Sequence, residues 1–178
     1  MQVQINNQAL ELRQGDITLQ EVDVLVNAAN SSLAGGGGVD GAIHRRGGPS
    51  IMIETGEKYP DGCPTGSAVI SGAGDLPARY VLHAVGPIWN GGRRGEAELL
   101  ASAYHRCLEL AVQNGCHSIA FPSLSTGAYR YPVDQAARVA LRTIIDFLNE
   151  QGQPRLVRLV LFDAGTYGAY AAALEEIA

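Results

Sequence analysis

Short apolar runs alternate along this chain with stretches in which apolar residues recur at helical spacing. Continuous apolar runs of this length are typical of strands that are covered on both faces of a sheet. Strands that alternate with helices predict a mainly parallel sheet with helices on both sides, which is a three-layer α/β domain. The predicted strands are residues 23–26, 66–72, 80–85, 118–121 and 157–162, and the predicted helices are residues 39–46, 50–58, 100–111, 133–148 and 170–177.

The first twelve residues follow a different pattern. Residues 3–5 and 9–12 alternate apolar with polar side chains on either side of Asn6 and Asn7, which predicts a hairpin or a bent edge strand. The sheet is therefore expected to be mixed rather than purely parallel. No internal repeat, low-complexity segment or linker interrupts the 178 residues, so we predict a single domain that covers residues 1–178.

Composition and charge limit the kinds of partner and the cellular location that the sequence predicts. The net charge of −5 disfavours broad nucleic-acid binding, which depends on many lysine and arginine contacts to phosphates. No apolar run reaches about 18 residues, so no transmembrane helix is expected, and the N-terminus lacks the pattern of a signal peptide. The odd number of cysteines and their spacing suit neither a disulfide framework nor a metal site, so we expect buried, reduced thiols in a cytoplasmic protein; they are Cys63, Cys107 and Cys116.

Residues 27–41 combine two asparagines, four consecutive glycines and an aspartate directly after a predicted strand. Glycines lose much conformational freedom on folding, and the usual reason for such a loop is a ligand that lies close against bare backbone. The pattern G-x-G-x-x-G is present, but the glycines come too far after the strand for a dinucleotide fingerprint, and no P-loop pattern is present. Backbone amides at a helix start form an anion site, so we favour a phosphate-bearing ligand over a flexible surface loop.

A second loop of small residues, residues 122–129, also lies between a predicted strand and a predicted helix. Its hydroxyl and glycine residues 125–127 form another candidate anion site, with an ordinary strand-to-helix turn as the alternative. Two such loops suit a diphosphate better than a single phosphate. Ligands of open α/β sheets bind beyond the carboxyl ends of the strands, and both loops, Asp16 and Phe162 occupy such positions in the predicted order.

Three polar residues have two interpretations each, and the sequence leaves both open. Asp40 is a helix N-cap, or a group that orients or deprotonates a water beside a ligand. Asn30 is a turn residue that uses its side chain locally, or a donor and acceptor for a sugar hydroxyl. Asp16 caps a polar turn, or accepts a hydrogen bond from an exocyclic amine.

The remaining candidates are aromatic or nucleophilic. Phe162 is either a core residue at a strand end or a platform for a flat base. No serine or cysteine lies in a recognised nucleophile motif, so any catalysis is expected to use water rather than a covalent intermediate. The four histidines lack metal spacing, and we interpret them as structural or surface residues and expect no metal and no cofactor; they are His44, His83, His105 and His117.

Five motifs are more specific than any of these patterns alone. They are GDIT at residues 15–18, NAANSSLAGGGGVDGAIHR at 27–45, CPTG at 63–66, HAVGP at 83–87 and PSLSTGAYRYP at 122–132. Together they closely resemble the macrodomain family, in its MacroD-type branch of ADP-ribose-binding hydrolases. The resemblance covers nearly the whole chain, and the long glycine motif is its most specific part.

The resemblance implies a three-layer α/β/α sandwich around a mixed six-stranded sheet, with a cleft that binds ADP-ribose. Asp16 and the Ile17 backbone would contact the adenine amine, and Phe162 would lie against its ring. Asn30 and Asp40 match the residues that the family uses for catalysis at the distal ribose. The residues expected to wrap the diphosphate and distal ribose are Gly37, Gly38, Val39, Ser125, Thr126, Gly127, Ala128 and Tyr129.

The family reaction is hydrolysis of O-acetyl-ADP-ribose to ADP-ribose and acetate, and it includes release of mono-ADP-ribose from acidic side chains of proteins. In the implied mechanism Asn30 fixes the ribose, and Asp40 positions or activates the attacking water. The alternatives are a reader module that binds ADP-ribose without hydrolysis, and an RNA or regulatory-protein binder. Arg46 and Phe162 replace a commoner alanine and tyrosine of the family, and neither departure touches the implied chemistry.

Overall fold

Every strand that the apolar runs predicted forms in the computed structural model, which describes residues 1–178. The strands are β1 Gln2–Ile5, β2 Gln8–Gln14, β3 Val24–Ala28, β4 Ala68–Gly72, β5 Tyr80–Ala84, β6 Ser118–Phe121 and β7 Leu156–Leu161. The helices are α1 Gly38–Gly47, α2 Ser50–Lys58, α3 Glu96–Gln113, α4 Val133–Gln151 and α5 Ala164–Ile177, and a 3-10 turn covers Ile17–Leu19.

The strands form one mixed sheet in the order β1-β2-β7-β6-β3-β5-β4. The five central strands are parallel, and the edge strands β1 and β4 are antiparallel to their neighbours. The expected mixed three-layer architecture is confirmed, but the sheet has seven strands instead of the six that the resemblance implied. The hairpin interpretation of residues 3–12 is confirmed: β1 pairs with β2 through a tight turn in which Asn6 has a φ of 57°, a conformation that asparagine tolerates better than most residues.

Side chains of the central strands alternate between two hydrophobic cores, as the period of a strand requires. In β3, Val24 and Val26 belong to a core of 32 buried residues under α3, α4 and α5, whereas Leu25 belongs to a core of 10 under α1 and α2. The helices therefore cover both faces of the sheet. The layer formed by α1 and α2 has the smaller core, and it carries the glycine-rich loop between β3 and α1.

Helix boundaries follow the sequence signals, with two extensions. α3 begins at Glu96, several residues before its apolar stripe, and α5 begins at Ala164, directly after Asp163 caps it by accepting a hydrogen bond from the Thr166 N–H. Polar and small residues in a first turn are invisible to an apolar period, which explains both shifts. No helix of the structure is both long and apolar enough to cross a membrane.

Candidate functional site

Four segments that the sequence predicts for the site follow neighbouring parallel strands. Asp16 follows β2, Phe162 follows β7, residues 122–132 follow β6, and the glycine loop, residues 30–38, follows β3. Because these strands are neighbours in the order β2-β7-β6-β3, the four segments form a row along one edge of the sheet, which we call the site edge. The carboxyl ends of parallel strands are where open α/β domains bind ligands.

The glycine loop presents a run of unused backbone donors. No N–H group of residues 35–40 donates a hydrogen bond within the chain, and Gly37, the N-cap of α1, supplies no side-chain cap. Gly35 and Gly38 have φ angles of 82° and 56°, which favour glycine. Free N–H groups at the start of a helix, together with the helix dipole, form an anion site.

Gly37 needs a different explanation from its neighbours. Its φ is −93°, an ordinary value for any residue, and a Cβ added there would meet no protein atom within 4 Å. Internal packing therefore does not require glycine at this position. A side chain would instead stand in the exposed space beside the free N–H groups.

Asn30 holds the glycine loop in shape. Its Nδ2 donates to the Gly35 carbonyl at 2.9 Å, and its Oδ1 accepts from the Ser32 hydroxyl at 2.9 Å and from the Ala34 N–H at 3.1 Å. The local turn interpretation of Asn30 is thus present in the structure. An amide carries two N–H groups and two acceptor sites, so one N–H of Asn30 is left for another partner.

The second loop, residues 122–132, also presents unused donors. The N–H groups of residues 125–129 donate no hydrogen bond within the chain. A Cβ added at Gly127 would meet no protein atom within 4 Å, so the space beside these groups is open. Two runs of free backbone donors, one after β3 and one after its neighbour β6, therefore lie along the site edge.

Buried side chains of the larger core hold the second loop in place through hydrogen bonds. The Leu124 N–H donates to the Tyr104 hydroxyl at 3.1 Å, and the Ser123 hydroxyl lies 2.8 Å from that of Tyr170; both tyrosines are fully buried. Ser125 has a φ of 68°, an uncommon value for a residue with a side chain. Its hydroxyl is buried against Gly86, where any added Cβ would collide with it. The fold over-determines this strained conformation, as is typical of functional loops.

Asp40 lies in the first turn of α1, but it does not cap the helix, so the N-cap interpretation is wrong. The residue is 6% exposed, and its carboxylate points towards the sheet. Its Oδ1 accepts a hydrogen bond from Asn27 Nδ2 at 2.8 Å and lies 3.2 Å from His44 Nε2. A buried carboxylate is thereby held directly beside the first run of free donors.

Asn27 also belongs to a larger polar cluster that sequence reasoning missed, because its Nδ2 lies 3.1 Å from His83 Nδ1. Asn27 is fully buried in β3. His83, which is paired with Asn27 in the register of β3 and β5, is 1% exposed. Burial, with the nearby His44, lowers the pKa of His83 to about 4. The available signal was Asn27 at the end of one apolar strand run and His83 inside another, because a fully buried polar side chain needs a specific partner.

The far end of the site edge is more open. Asp16 caps the 3-10 turn, with Oδ1 accepting from the Thr18 N–H at 2.9 Å and the Thr18 hydroxyl at 2.6 Å. The Thr18 hydroxyl is the main cause of a lowered pKa for Asp16, with a smaller contribution from Arg46. Ile17 is buried beneath it, whereas Phe162 is 80% exposed, so the core interpretation of Phe162 is wrong.

A third loop, residues 86–95, borders the site and depends on one carboxylate. Glu96 accepts hydrogen bonds from the backbone N–H groups of Asn90, Gly92 and Arg94 at 2.8, 2.9 and 2.6 Å. Burial opposes ionisation of this carboxyl, but the three donors outweigh burial and lower the pKa of Glu96 to about 2. The loop is joined to the second loop where the Trp89 N–H donates to the Tyr129 carbonyl.

These features define a class of protein: an α/β domain that binds an anionic ligand at strand ends, beside one buried carboxylate. The model of the Macro domain family matches residues 26–140, and the chain belongs to the macrodomain family. A Macro domain-containing protein from Caldanaerobacter subterraneus subsp. tengcongensis is 56% identical over 170 residues, which are 94% of this chain and 97% of the relative.

Two further relatives have informative names. A protein from Enterobacter cloacae named O-acetyl-ADP-ribose deacetylase is 51% identical over 163 residues, 90% of this chain and 91% of the relative. The solved structure of the Oceanobacillus iheyensis macrodomain with ADP is 44% identical and has a TM-score of 0.95, covering 99% of this chain and 95% of that chain.

Proposed function

We propose that this protein is a hydrolase that binds ADP-ribose along the site edge and deacetylates O-acetyl-ADP-ribose by cleaving an ester on the distal ribose. The observation that carries the proposal is the buried carboxylate of Asp40 beside two runs of free backbone N–H groups, residues 35–40 and 125–129. The Enterobacter cloacae relative bears the name of this activity.

The order of the strands supports one orientation of the ligand. Asp16 and Phe162 follow β2 and β7, whereas the two donor loops follow β6 and β3. β2 and β3 are three strand spacings apart, which is about 14 Å. We assign the adenine to the β2 end, the diphosphate to the donor loops, and the distal ribose to the region of Asn30 and Asp40.

At the adenine end, Asp16 has one carboxylate oxygen, Oδ2, that makes no hydrogen bond within the chain. This oxygen accepts from the exocyclic amine, with the Ile17 backbone alongside. The exposed ring of Phe162 stacks on the base. At the diphosphate, the donors come from Gly37, Gly38 and Val39 on one side and from residues 125–129 on the other.

The reaction at the distal ribose needs only water and groups of this chain. The remaining N–H of Asn30 donates to a ribose hydroxyl, and Asp40 orients the attacking water. The oxygen of that water adds to the acetyl carbonyl carbon, and the bond from this carbon to the ribose oxygen breaks. One proton of the water ends on the ribose oxygen, and the other leaves with the acetic acid, which ionises to acetate. Fixing the water and the ester together removes most of the entropic barrier.

The same chemistry extends to a protein substrate. A glutamate or aspartate side chain esterified to the distal ribose carries the same carbonyl as the acetyl ester. Residues 36–38 are exposed, so a bulky group attached to the ribose has room beside the glycine loop. We therefore propose mono-ADP-ribosylated acidic side chains as a second substrate class. Three free, buried cysteines support a reducing, cytoplasmic setting for both reactions.

The proposal is tested by comparing wild type with Asp40→Ala. Acetate release from O-acetyl-ADP-ribose should fall by about 100-fold or more, as expected when a group that orients or deprotonates water is removed. Binding of ADP-ribose, measured by calorimetry, should change by less than about threefold, because Asp40 makes no ground-state contact with the diphosphate. Asp134→Ala, which removes an exposed aspartate from the first turn of α4, is the matched control.

Other outcomes identify the alternatives. Full activity of Asp40→Ala would remove Asp40 from the mechanism. Tight ADP-ribose binding by wild type, with no turnover of either ester, would identify a reader module. Competition between a single-stranded RNA and ADP-ribose at low salt would identify the RNA-binding alternative.

A further inference from the structure

A chain of buried hydrogen bonds runs from Asp40 across two neighbouring strands of the sheet to a third. Asn27 Nδ2 donates to Asp40 Oδ1 at 2.8 Å and lies 3.1 Å from His83 Nδ1, and His83 Nε2 lies 2.8 Å from the Ser71 hydroxyl. Asn27, His83 and Ser71 are 0%, 1% and 1% exposed, and they come from β3, β5 and β4, three adjacent strands.

The Asp40 carboxylate indicates which atom donates and which accepts in each of these hydrogen bonds. A carboxylate oxygen only accepts, so the Asn27 amide must turn its NH2 group towards Asp40. The second hydrogen of the same NH2 group then points at His83 Nδ1, which must accept it. The imidazole proton is therefore on Nε2 and is donated to the Ser71 hydroxyl, whose own hydrogen goes to the Gly72 carbonyl at 2.9 Å.

The neutral imidazole that this pattern requires is the form present at neutral pH, since burial lowers the pKa of His83 to about 4. The Oδ1 of Asn27 has no partner in the chain. The amide is thus held in place only by its NH2 group, between one acceptor on Asp40 and one on His83. Loss of either acceptor leaves the amide held by a single hydrogen bond.

We propose that His83 is a positioning residue for the reaction, holding Asp40 through Asn27, and that Ser71 selects the tautomer of His83 that makes this possible. The inference rests on the proposed function of Asp40. Without the acceptor on His83, the Asn27 amide keeps only its hydrogen bond to Asp40, so the amide and the carboxylate can shift together from their positions. A misplacement of the order of 1 Å in a reacting group costs about 100-fold in rate.

Two substitutions of His83 separate the acceptor from the donor. His83→Asn places an amide oxygen near the position of Nδ1, so it keeps the acceptor for Asn27 and loses the bond to Ser71. His83→Gln places an amide NH2 near the position of Nε2, so it keeps the bond to Ser71 and loses the acceptor. Both proteins are assayed for kcat and KM with O-acetyl-ADP-ribose, for ADP-ribose affinity and for unfolding free energy.

We expect kcat to depend on whether residue 83 keeps an acceptor for Asn27, and not on the stability of the variant. His83→Gln should lose about 30-fold or more in kcat with ADP-ribose affinity within about twofold of wild type, whereas His83→Asn should stay within about threefold in kcat. His83→Asn should nevertheless be the less stable variant, because it leaves a cavity and an unpaired Ser71 hydroxyl. His117→Gln, at an exposed position, is the control and should match wild type.

Equal losses of kcat in both variants, or a kcat that falls only in proportion to stability, would overturn the proposal. Wild-type kcat in His83→Gln would overturn it as well. If either variant does not fold, Ser71→Ala replaces it: about a tenfold loss of kcat at unchanged affinity is expected, and no loss contradicts the role of Ser71.

Failure of the proposed function is distinguishable from failure of this inference. If wild type hydrolyses neither ester, the proposed function fails, and the position of Asp40 is then read directly from crystal structures of the variants. The carboxylate should keep its wild-type place in His83→Asn and move in His83→Gln. An unmoved Asp40 in both structures would overturn the positioning role whatever the reaction is.

Discussion

The two ends of the site edge differ in how much of their geometry exists before a ligand binds. At the ribose end, Asp40 is 6% exposed and is joined by buried hydrogen bonds to β3, β5 and β4. At the adenine end, the ring of Phe162 is 80% exposed and rests on no comparable support. If the proposed assignment holds, folding alone arranges the groups proposed to react, whereas ligand binding has to order the proposed adenine platform. Substitutions at the two ends should separate rate from affinity.

The prearranged end is held at a cost in stability. Asn27 Oδ1 and His44 Nδ1 are buried and have no hydrogen-bond partner in the chain. Each such group typically destabilises a fold by about 1–3 kcal/mol. Natural proteins tolerate unsatisfied groups mainly where function requires them. The adenine end carries no similar cost, because its exposed groups keep their contact with water.

The largest effect that we predict at the ribose end is a pH dependence of stability. His83 has an unfolded pKa near 6.5 and a folded pKa of about 4, so below pH 6.5 the unfolded chain takes up a proton that the folded chain resists. Stability is unaffected by this group at pH 7.5 and falls as the pH falls from 6.5 to 4, by about 3 kcal/mol in total. Urea unfolding of wild type and His83→Asn across this range measures the contribution as a difference.

His83→Asn should show a shallower loss of stability with acid than wild type, whatever its absolute stability at pH 7.5. His117→Asn, which alters an exposed histidine, should retain the wild-type slope. Parallel curves for wild type and His83→Asn would mean that the buried imidazole accepts a proton in the folded protein, and the prearranged character of the ribose end would then be lost in mild acid.

The next effect lies between the two ends, at the diphosphate. Gly127→Val adds a side chain where no protein atom lies within 4 Å of the Cβ, so folding should be nearly unchanged. Affinity for ADP-ribose should fall by about 30-fold, the equivalent of about 2 kcal/mol, because the new methyl groups occupy the space that the phosphates need.

Calorimetry with ADP-ribose and with ADP measures this change, and both ligands should weaken alike since they share the diphosphate. Gly168→Ala is the control, since this glycine of α5 also has open space around its Cβ and lies away from the loops. Unchanged affinity in Gly127→Val would show that the second loop does not contact the ligand.

Much of the fold could be predicted from the sequence, because apolar periodicity reports directly which face of each strand and helix is buried. Chain order also predicts that Asp16, the glycine loop, residues 122–129 and Phe162 follow strands, and the structure brings these candidate segments together along one edge of the sheet. The six strands that the resemblance implied are one too few, and the alternation of residues 3–5 and 9–12 left a hairpin and a bent edge strand both open.

The polar cluster could not be predicted in the same way. Its members are 12 to 56 residues apart in sequence, and their contact depends on the order and register of β3, β5 and β4, which no local pattern specifies. Residue patterns alone left both interpretations of Phe162 open, because an aromatic residue at a strand end is usually buried, and only the resemblance placed it against a base. Local patterns locate the site, and long-range pairing determines how its groups are supported.

The smallest effect that we predict is at the open end. Phe162→Ala removes a ring that is exposed before binding, so neither folding nor the position of Asp40 should change. Stacking on one exposed face is worth about 1 kcal/mol, and ADP-ribose affinity should therefore fall about fivefold while kcat stays within twofold of wild type. Steady-state kinetics with O-acetyl-ADP-ribose should show the loss in KM alone. Phe162→Tyr keeps the ring and should restore wild-type affinity. A loss of kcat in Phe162→Ala would show that the two ends are coupled, and that ordering the adenine platform is part of assembling the reacting geometry.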